Sequence, residues 1–117
     1  HGLELPETLS ARLEEQGMEI IPHENITDII PEVDVLYVTR VQRERFPDSA
    51  SYFNVASSYR ITPELLADAK KHLIVLHPLP RVDEIDPRVD EMPHAKYFEQ
   101  SRNGVPVRMA MLMQVMQ

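Results

Sequence analysis

Cysteine is absent from this 117-residue chain, and glycine occurs only three times. Without cysteine there is no disulfide framework and no thiolate metal site. With so little glycine there is no Gly-rich phosphate loop, so no nucleotide cofactor is expected. Long hydrophobic runs are missing as well: the longest fall far short of the roughly 20 apolar residues that a membrane span needs. The N-terminus has neither the basic nor the apolar region of a signal peptide. A cytoplasmic protein with no membrane partner is the expectation. Positive charge is also scarce. Against 19 acidic side chains stand 12 basic ones, a formal net charge of -7, which disfavours a nucleic-acid backbone as partner.

What is present has an ordinary globular balance, 43% apolar and 26% charged, and suits one domain with a core of its own. Three of the twelve basic residues fall within Arg40 to Arg45. A local positive cluster on an acidic chain fits a small anion. The chain starts at His1-Gly2 without methionine and ends at Gln117 inside a helical pattern, as a fragment of a longer protein would.

Two apolar runs of strand length each stop at a polar cluster. Val35, Leu36, Tyr37 and Val38 lead into Thr39-Arg40, and Leu73, Ile74, Val75 and Leu76 lead into His77-Pro78. Short branched runs flanked by helical patterns predict parallel strands buried on both faces. Ligands of such sheets bind beyond the carboxyl ends of the strands. Upstream, Pro6, Glu7 and the stop at Gly17 predict a helix to Gln16, with Leu5, Leu9 and Leu13 as its buried stripe. Met18 to Ile21 reads as a short strand closed by Pro22, and Asn25 as the cap of a brief helix over Ile26 to Ile30. Phe46-Pro47-Asp48-Ser49 is a turn signal, after which Ala50 to Ala56 fits either a helical turn or a mobile loop. Thr62-Pro63 starts a helix running to Lys70 or Lys71.

After His77, prolines and five acidic residues between Asp83 and Glu91 predict a loop with one helical turn at Pro87 to Asp90. Tyr97-Phe98 reads as a last short strand, Asn103-Gly104 as a turn, and Val105 to Met116 as a helix apolar nearly all round. Such a helix needs cover on both sides. The rest of the chain offers little.

Extended backbone beyond Val38 would aim Arg40, Gln42 and Glu44 to one side and Arg43 and Arg45 to the other. Arg40 offers a planar fork for a carboxylate, Gln42 donates and accepts beside it, and Glu44 can hold Arg40 in place. A dicarboxylate would be well served, although the same residues fit a solvated, charge-alternating helix start. In His77-Pro78-Leu79-Pro80 two prolines remove two backbone donors, and Leu79-Pro80 is a candidate cis peptide. The carbonyls of Pro78 and Leu79 could then accept from an ammonium or amide group of a ligand; an ordinary strand-ending turn is the plainer alternative. His77 is the candidate acid or base and equally a structural histidine, with no carboxylate at motif spacing. His1, His23, His72 and His94 are scattered, read as surface residues, and no metal is expected. Four of the six methionines follow Arg108 and read as helical core or buried interface.

The stretches Asp34-Val-Leu-Tyr-Val-Thr-Arg-Val-Gln-Arg-Glu-Arg-Phe46, His77-Pro-Leu-Pro-Arg-Val-Asp-Glu-Ile85 and Tyr97-Phe98 through Asn103-Gly104-Val-Pro-Val-Arg-Met-Ala110 resemble the aspartate-binding half of the aspartate carbamoyltransferase family. The resemblance runs in order over almost the whole chain. The sister family, ornithine carbamoyltransferase, has a cysteine in place of Pro78 and lacks the Thr-Arg-x-Gln stretch, so the implied substrate is aspartate. The resemblance implies an α/β domain, a partial three-layer doubly wound parallel sheet of Rossmann-like kind. It also implies that the domain's first strand and the preceding carbamoyl-phosphate domain are lacking.

The implied activity is transfer of the carbamoyl group of carbamoyl phosphate to L-aspartate in pyrimidine synthesis, without metal or organic cofactor. By the resemblance, Arg40 and Gln42 bind the aspartate carboxylates, Glu44 orients Arg40, and Arg45 reaches the other domain when the cleft closes. The carbonyls of Pro78 and Leu79 receive the reacting amine and carbamoyl groups, with Leu79-Pro80 cis. Phe46 to Ser58 is the segment that reorganises, with Tyr52 partnering Asp83 in the open form. Implied partners are L-aspartate, the carbamoyl-phosphate domain, further copies in a homotrimer and, as an open option, regulatory subunits. The chain alone is expected to be inactive and poorly stable. Two readings from other classes are a module that holds a dicarboxylate without chemistry and a non-catalytic assembly subunit.

Overall fold

The computed structural model of the chain describes residues 5–43 and 46–116, apart from the side chains of 53–55, 57 and 58. In chain order the elements are α1 (Glu7–Glu15), a 3-10 turn Ile26–Asp28, β1 (Val35–Tyr37), α2 (Ser49–Ser58), α3 (Pro63–Leu66), β2 (Ile74–Leu76), a 3-10 turn Pro87–Glu91 and α4 (Tyr97–Val115). β1 and β2 are parallel, with Val35 opposite Ile74, Leu36 opposite Val75 and Tyr37 opposite Leu76. Parallel strands need a long crossover, and here it carries α2 and α3. On its other edge β2 bridges Ala95: the Val75 N–H donates to the His94 carbonyl at 2.8 Å, and the Lys96 N–H donates to the Val75 carbonyl at 3.0 Å. Among the described residues β2 is therefore the interior strand and β1 an edge.

Local chemistry sets two of the helix starts and one stop. Asp48 Oδ1 accepts from the Ser51 N–H at 2.8 Å, so the turn signal at Phe46 to Ser49 opens a helix, which decides between helix and loop for the residues that follow. Thr62 Oγ1 accepts from the Leu65 N–H at 3.3 Å, with Pro63 in the first turn. Gly17 takes φ of 81°, a left-handed stop just past α1. Val75 joins Ile61, Leu66, Ile85, Val89 and Tyr97 in a buried apolar cluster that reaches the first residue of α4.

Several expectations are corrected. Met18 to Ile21 forms no strand: nothing among the described residues pairs with it, and without a ladder its backbone gains nothing from extension. α1 buries none of its residues, so among the described residues the Leu5, Leu9 and Leu13 stripe has no surface to dock on. β1 is not buried on both faces; Val35 and Tyr37 stay exposed because only one side of this edge strand meets the core. α3 ends at Leu66, short of Lys70 and Lys71. Lys70 instead donates to the Glu32 carbonyl at 2.6 Å and to Asp34 Oδ1 at 2.8 Å, tying the approach to β2 to the entry of β1. Tyr97-Phe98 is not a strand and Asn103-Gly104 is not a turn; both lie inside α4. The bridge to Val75 is completed at Ala95 and Lys96, and the chain turns helical directly after it. His94 is buried rather than superficial, its Nδ1 2.8 Å from the Leu73 carbonyl.

Beyond Tyr97 the long helix α4 has no buried residue. Its last turns carry Met111, Leu112, Met113 and Val115, all more than half exposed. The Cα radius of gyration is 16.7 Å, against roughly 13 Å for a compact chain of this size.

Candidate functional site

Because β1 and β2 are neighbours and parallel, both polar clusters lie beyond the same end of the sheet. The Val38 N–H makes the last ladder bond, to the Leu76 carbonyl at 2.9 Å, and Thr39 to Gln42 runs on outside any strand. That stretch lines a cleft of about 580 Å³, whose walls also include Tyr59, Ile61 and Glu84. Arg40 and Gln42 share this cleft, each exposed. Arg43 does not line it; its Nη2 donates to Ser49 Oγ at 2.9 Å, at the start of α2. Glu44 and Arg45 lie outside the described residues. Pro78 and Leu79 stand at the end of the neighbouring strand and are not part of the cleft lining. The Leu79-Pro80 peptide is cis, with φ of 52° at Leu79. Among the described residues neither the Pro78 nor the Leu79 carbonyl accepts a hydrogen bond. Tyr52, on α2, meets Phe46 edge-on with ring centroids 5.9 Å apart. Asp83 is exposed, and its N–H donates to Glu84.

Sequence reasoning missed the partner of His77. The ring is buried, and Nε2 lies 2.8 Å from Oε1 of Glu84, seven residues on. Nδ1 accepts from the Leu79 N–H at 2.9 Å. An accepting Nδ1 assigns the proton of the neutral ring to Nε2, which donates to Glu84. The other Glu84 oxygen accepts from the N–H groups of Val82 and Asp83, each at 3.0 Å. Burial pushes the Glu84 carboxyl up, but the backbone and His77 hydrogen bonds outweigh it and hold the group below its ordinary value. Of the two roles open to His77, acid or base and structural histidine, this geometry favours the second, with a carboxylate partner that stands at no motif spacing. The proline turn folds back on itself, and a seven-residue spacing that is too long for a contact within one helix and of the wrong parity for one strand face becomes a contact. Its only trace in the sequence is a histidine before, and a glutamate after, a proline-rich turn.

The same turn is anchored a second time. Arg81 Nη2 donates to Asp90 Oδ2 at 2.5 Å, while Arg81 Nη1 and the Tyr97 hydroxyl both donate to Asp90 Oδ1. The guanidinium also lies over the Tyr97 and Phe98 rings, 5.5 and 5.8 Å from their centroids. The Arg81 hydrogen bonds hold Asp90 below the usual carboxylate range. Burial, reinforced by Asp90, pushes the Tyr97 phenol up to about 12. Among the described residues no group of acidic, histidine or cysteine side chains could hold a metal ion, and no helix is long and apolar enough to cross a membrane.

Residues 3–115 match the family model described as aspartate/ornithine carbamoyltransferase, Asp/Orn binding domain. The aspartate carbamoyltransferase catalytic subunit of Methanosphaerula palustris is 74% identical over 114 residues, covering 97% of this chain and 38% of that protein. That of Methanospirillum hungatei is 64% identical over 115 residues, covering 98% and 39%. The chain thus spans well under half the length of these relatives. Among solved structures, the catalytic subunit of M. jannaschii aspartate transcarbamoylase is similar with a TM-score of 0.86 and 48% identity, covering 94% of this chain and 35% of that one. Aspartate transcarbamoylase from Trypanosoma cruzi in complex with N-(phosphonacetyl)-L-aspartic acid follows with a TM-score of 0.78 and 38% identity, covering 91% and 34%. The α/β, Rossmann-like class expected for a partial domain therefore holds, and the chain belongs to the aspartate/ornithine carbamoyltransferase family as an Asp/Orn-binding domain.

Proposed function

We propose that this chain is the aspartate-binding half of a transferase that moves the carbamoyl group of carbamoyl phosphate to L-aspartate, giving N-carbamoyl-L-aspartate and phosphate for pyrimidine synthesis. The observation that carries the reading is the pairing of Arg40 and Gln42 in one cleft beyond the ends of two parallel strands, in a chain of this family. Arg40 binds a ligand carboxylate through its guanidinium fork, and Gln42 donates its amide beside it. Glu44 orients Arg40, and Arg45 reaches the second domain on closure. Pro78 and Leu79 offer their carbonyls to the reacting amine and carbamoyl groups. Tyr52 and Asp83 pair when the cleft is open.

In the reaction the neutral amine attacks the carbamoyl carbon, the bond from that carbon to the phosphate oxygen breaks, and the proton lost by the amine is taken up by the departing phosphate. This half contributes orientation, which is worth several kcal/mol when it replaces a bimolecular encounter. Charge on the tetrahedral oxygen and on the leaving phosphate is stabilised by groups of the carbamoyl-phosphate domain. The parent enzyme is a cytoplasmic homotrimer, with room for regulatory subunits.

The test is an amide NMR titration of the chain with succinate, repeated with Arg40→Ala. Saturable shifts around Arg40 and Gln42 are expected. Loss of a charge-assisted pair weakens binding at least about tenfold in the variant. A well-folded spectrum that ignores succinate at every concentration refutes the claim that this chain carries the dicarboxylate site.

A further inference from the structure

Glu84 stands at a junction. It lines the cleft shared by Arg40 and Gln42, and its two oxygens accept three hydrogen bonds from residues 77–83. His77 passes the connection on, its Nδ1 accepting from the Leu79 N–H at 2.9 Å. From Leu79 to the cleft wall the chain of bonds is unbroken, and the two side chains that carry it, His77 and Glu84, are buried at 1% and 8% exposed. We infer that His77 and Glu84 are positioning residues: they set the turn carrying the Pro78 and Leu79 carbonyls in register with Arg40 and Gln42, so that the two ends of an amino-dicarboxylate are held together. The inference rests on, and deepens, the reading of that cleft as the dicarboxylate site. Neither side chain needs to touch the ligand. Both act through the backbone of the turn.

The chemistry of the junction demands a carboxylate. Three donors converge on Glu84, and only a group that accepts on both oxygens satisfies them all. A glutamine would turn its NH2 either toward the Val82 and Asp83 N–H groups or toward His77 Nε2. In the second case the ring would have to accept at Nε2 and carry its proton on Nδ1, against the Leu79 N–H. The isosteric change breaks the chain at one of these two places without altering side-chain volume. The same three donors explain how a carboxylate can sit in the wall of an anion site: they stabilise its charge locally, which lessens its repulsion of the ligand. Acid–base catalysis by His77 is the less favoured role, because both ring nitrogens are engaged within the turn.

The test uses the whole chain, with L-aspartate and succinate as probes, in wild type, Glu84→Gln and Glu84→Asp. Ring 15N shifts of wild-type His77 are expected to report a neutral ring protonated at Nε2. In Glu84→Gln that pattern or the Val82 and Asp83 amide resonances move, the Leu79 amide moves with them, and L-aspartate binding weakens by at least about tenfold, the scale of a sub-ångström misplacement. Succinate, which has no amine to meet the turn, weakens less. Glu84→Asp keeps two accepting oxygens and recovers part of the loss. A wild-type ring protonated at Nδ1 overturns the inference, and this measurement needs no variant to fold. Unchanged L-aspartate affinity in Glu84→Gln, or equal weakening of both ligands, also overturns it. Should wild type bind neither ligand, the dicarboxylate reading fails on its own, and the positioning claim is decided by the ring and Leu79 amide signals of the ligand-free chain.

Discussion

Asp86 accepts from the side chain and the N–H of Arg88, and these bonds pull its carboxyl from 3.8 down to about 2. A carboxyl held lower in the folded than in the unfolded chain contributes stability that is complete above its unfolded value and is lost as the pH falls through its folded value. Asp34, Asp48, Glu64, Glu84 and Asp90 are shifted in the same direction. Stability should therefore fall as acid is added from about pH 4 to about pH 2, and Asp86→Asn should flatten part of that slope in urea melts followed by circular dichroism. A stability profile level across that window would contradict the ion-pair geometry. Tyr97 works at the alkaline end. Its phenol is raised from 10.0 to about 12, so the stability it brings is full below its unfolded value and disappears as the pH rises through its folded one. Tyr97→Phe removes the hydroxyl that meets Asp90 and Arg81 and should cost about 1–3 kcal/mol in the urea midpoint.

At the level of elements, two glycines make opposite predictions. Gly17 has φ of 81°, and an added Cβ there would meet nothing within 4 Å, so Gly17→Ala suffers only the left-handed backbone penalty. A loss of about 1–2 kcal/mol in thermal or urea unfolding is expected. Gly104 lies in the interior of α4, where an added Cβ would come within 3.0 Å of Arg108 Nη1, the mobile end of a long side chain. Gly104→Ala should stabilise by about 0.5–1 kcal/mol and raise the far-UV helical signal. If both alanines destabilise alike, the placement of Gly104 in a helix is wrong. The helix starts at Thr62 and Pro63, the stop at Gly17 and the two strands were all legible in the sequence, because each depends on bonds made within a few residues or on a short buried run. Tyr97-Phe98 misleads because strand propensity is decided by neighbours. The pairing edge of Val75 is already taken by Ala95, and at the start of a helix Tyr97 turns inward while Phe98 stays exposed.

For the whole molecule the surface is the telling quantity. The chain exposes 9190 Å², whereas a folded monomer of its mass exposes about 6,500 Å². The excess comes largely from α4, the Leu5 and Leu9 side of α1 and the outer residues of β1. Apolar area on that scale drives association, so the chain should self-associate in sedimentation velocity runs, and Leu112→Lys combined with Met109→Lys should weaken assembly by more than about tenfold. A monomer throughout the concentration range would show that these faces are covered some other way. The sequence alone determined the two strands, the polar clusters at their ends and the apolar character of the last helix, since these follow from local pattern and side-chain chemistry. Only the tertiary structure decided that Arg40 and Gln42 share a cleft with Glu84, and that Glu84 meets His77. Those contacts depend on which strands lie side by side and on how a proline turn folds back, and both are settled by long-range packing rather than by spacing along the chain.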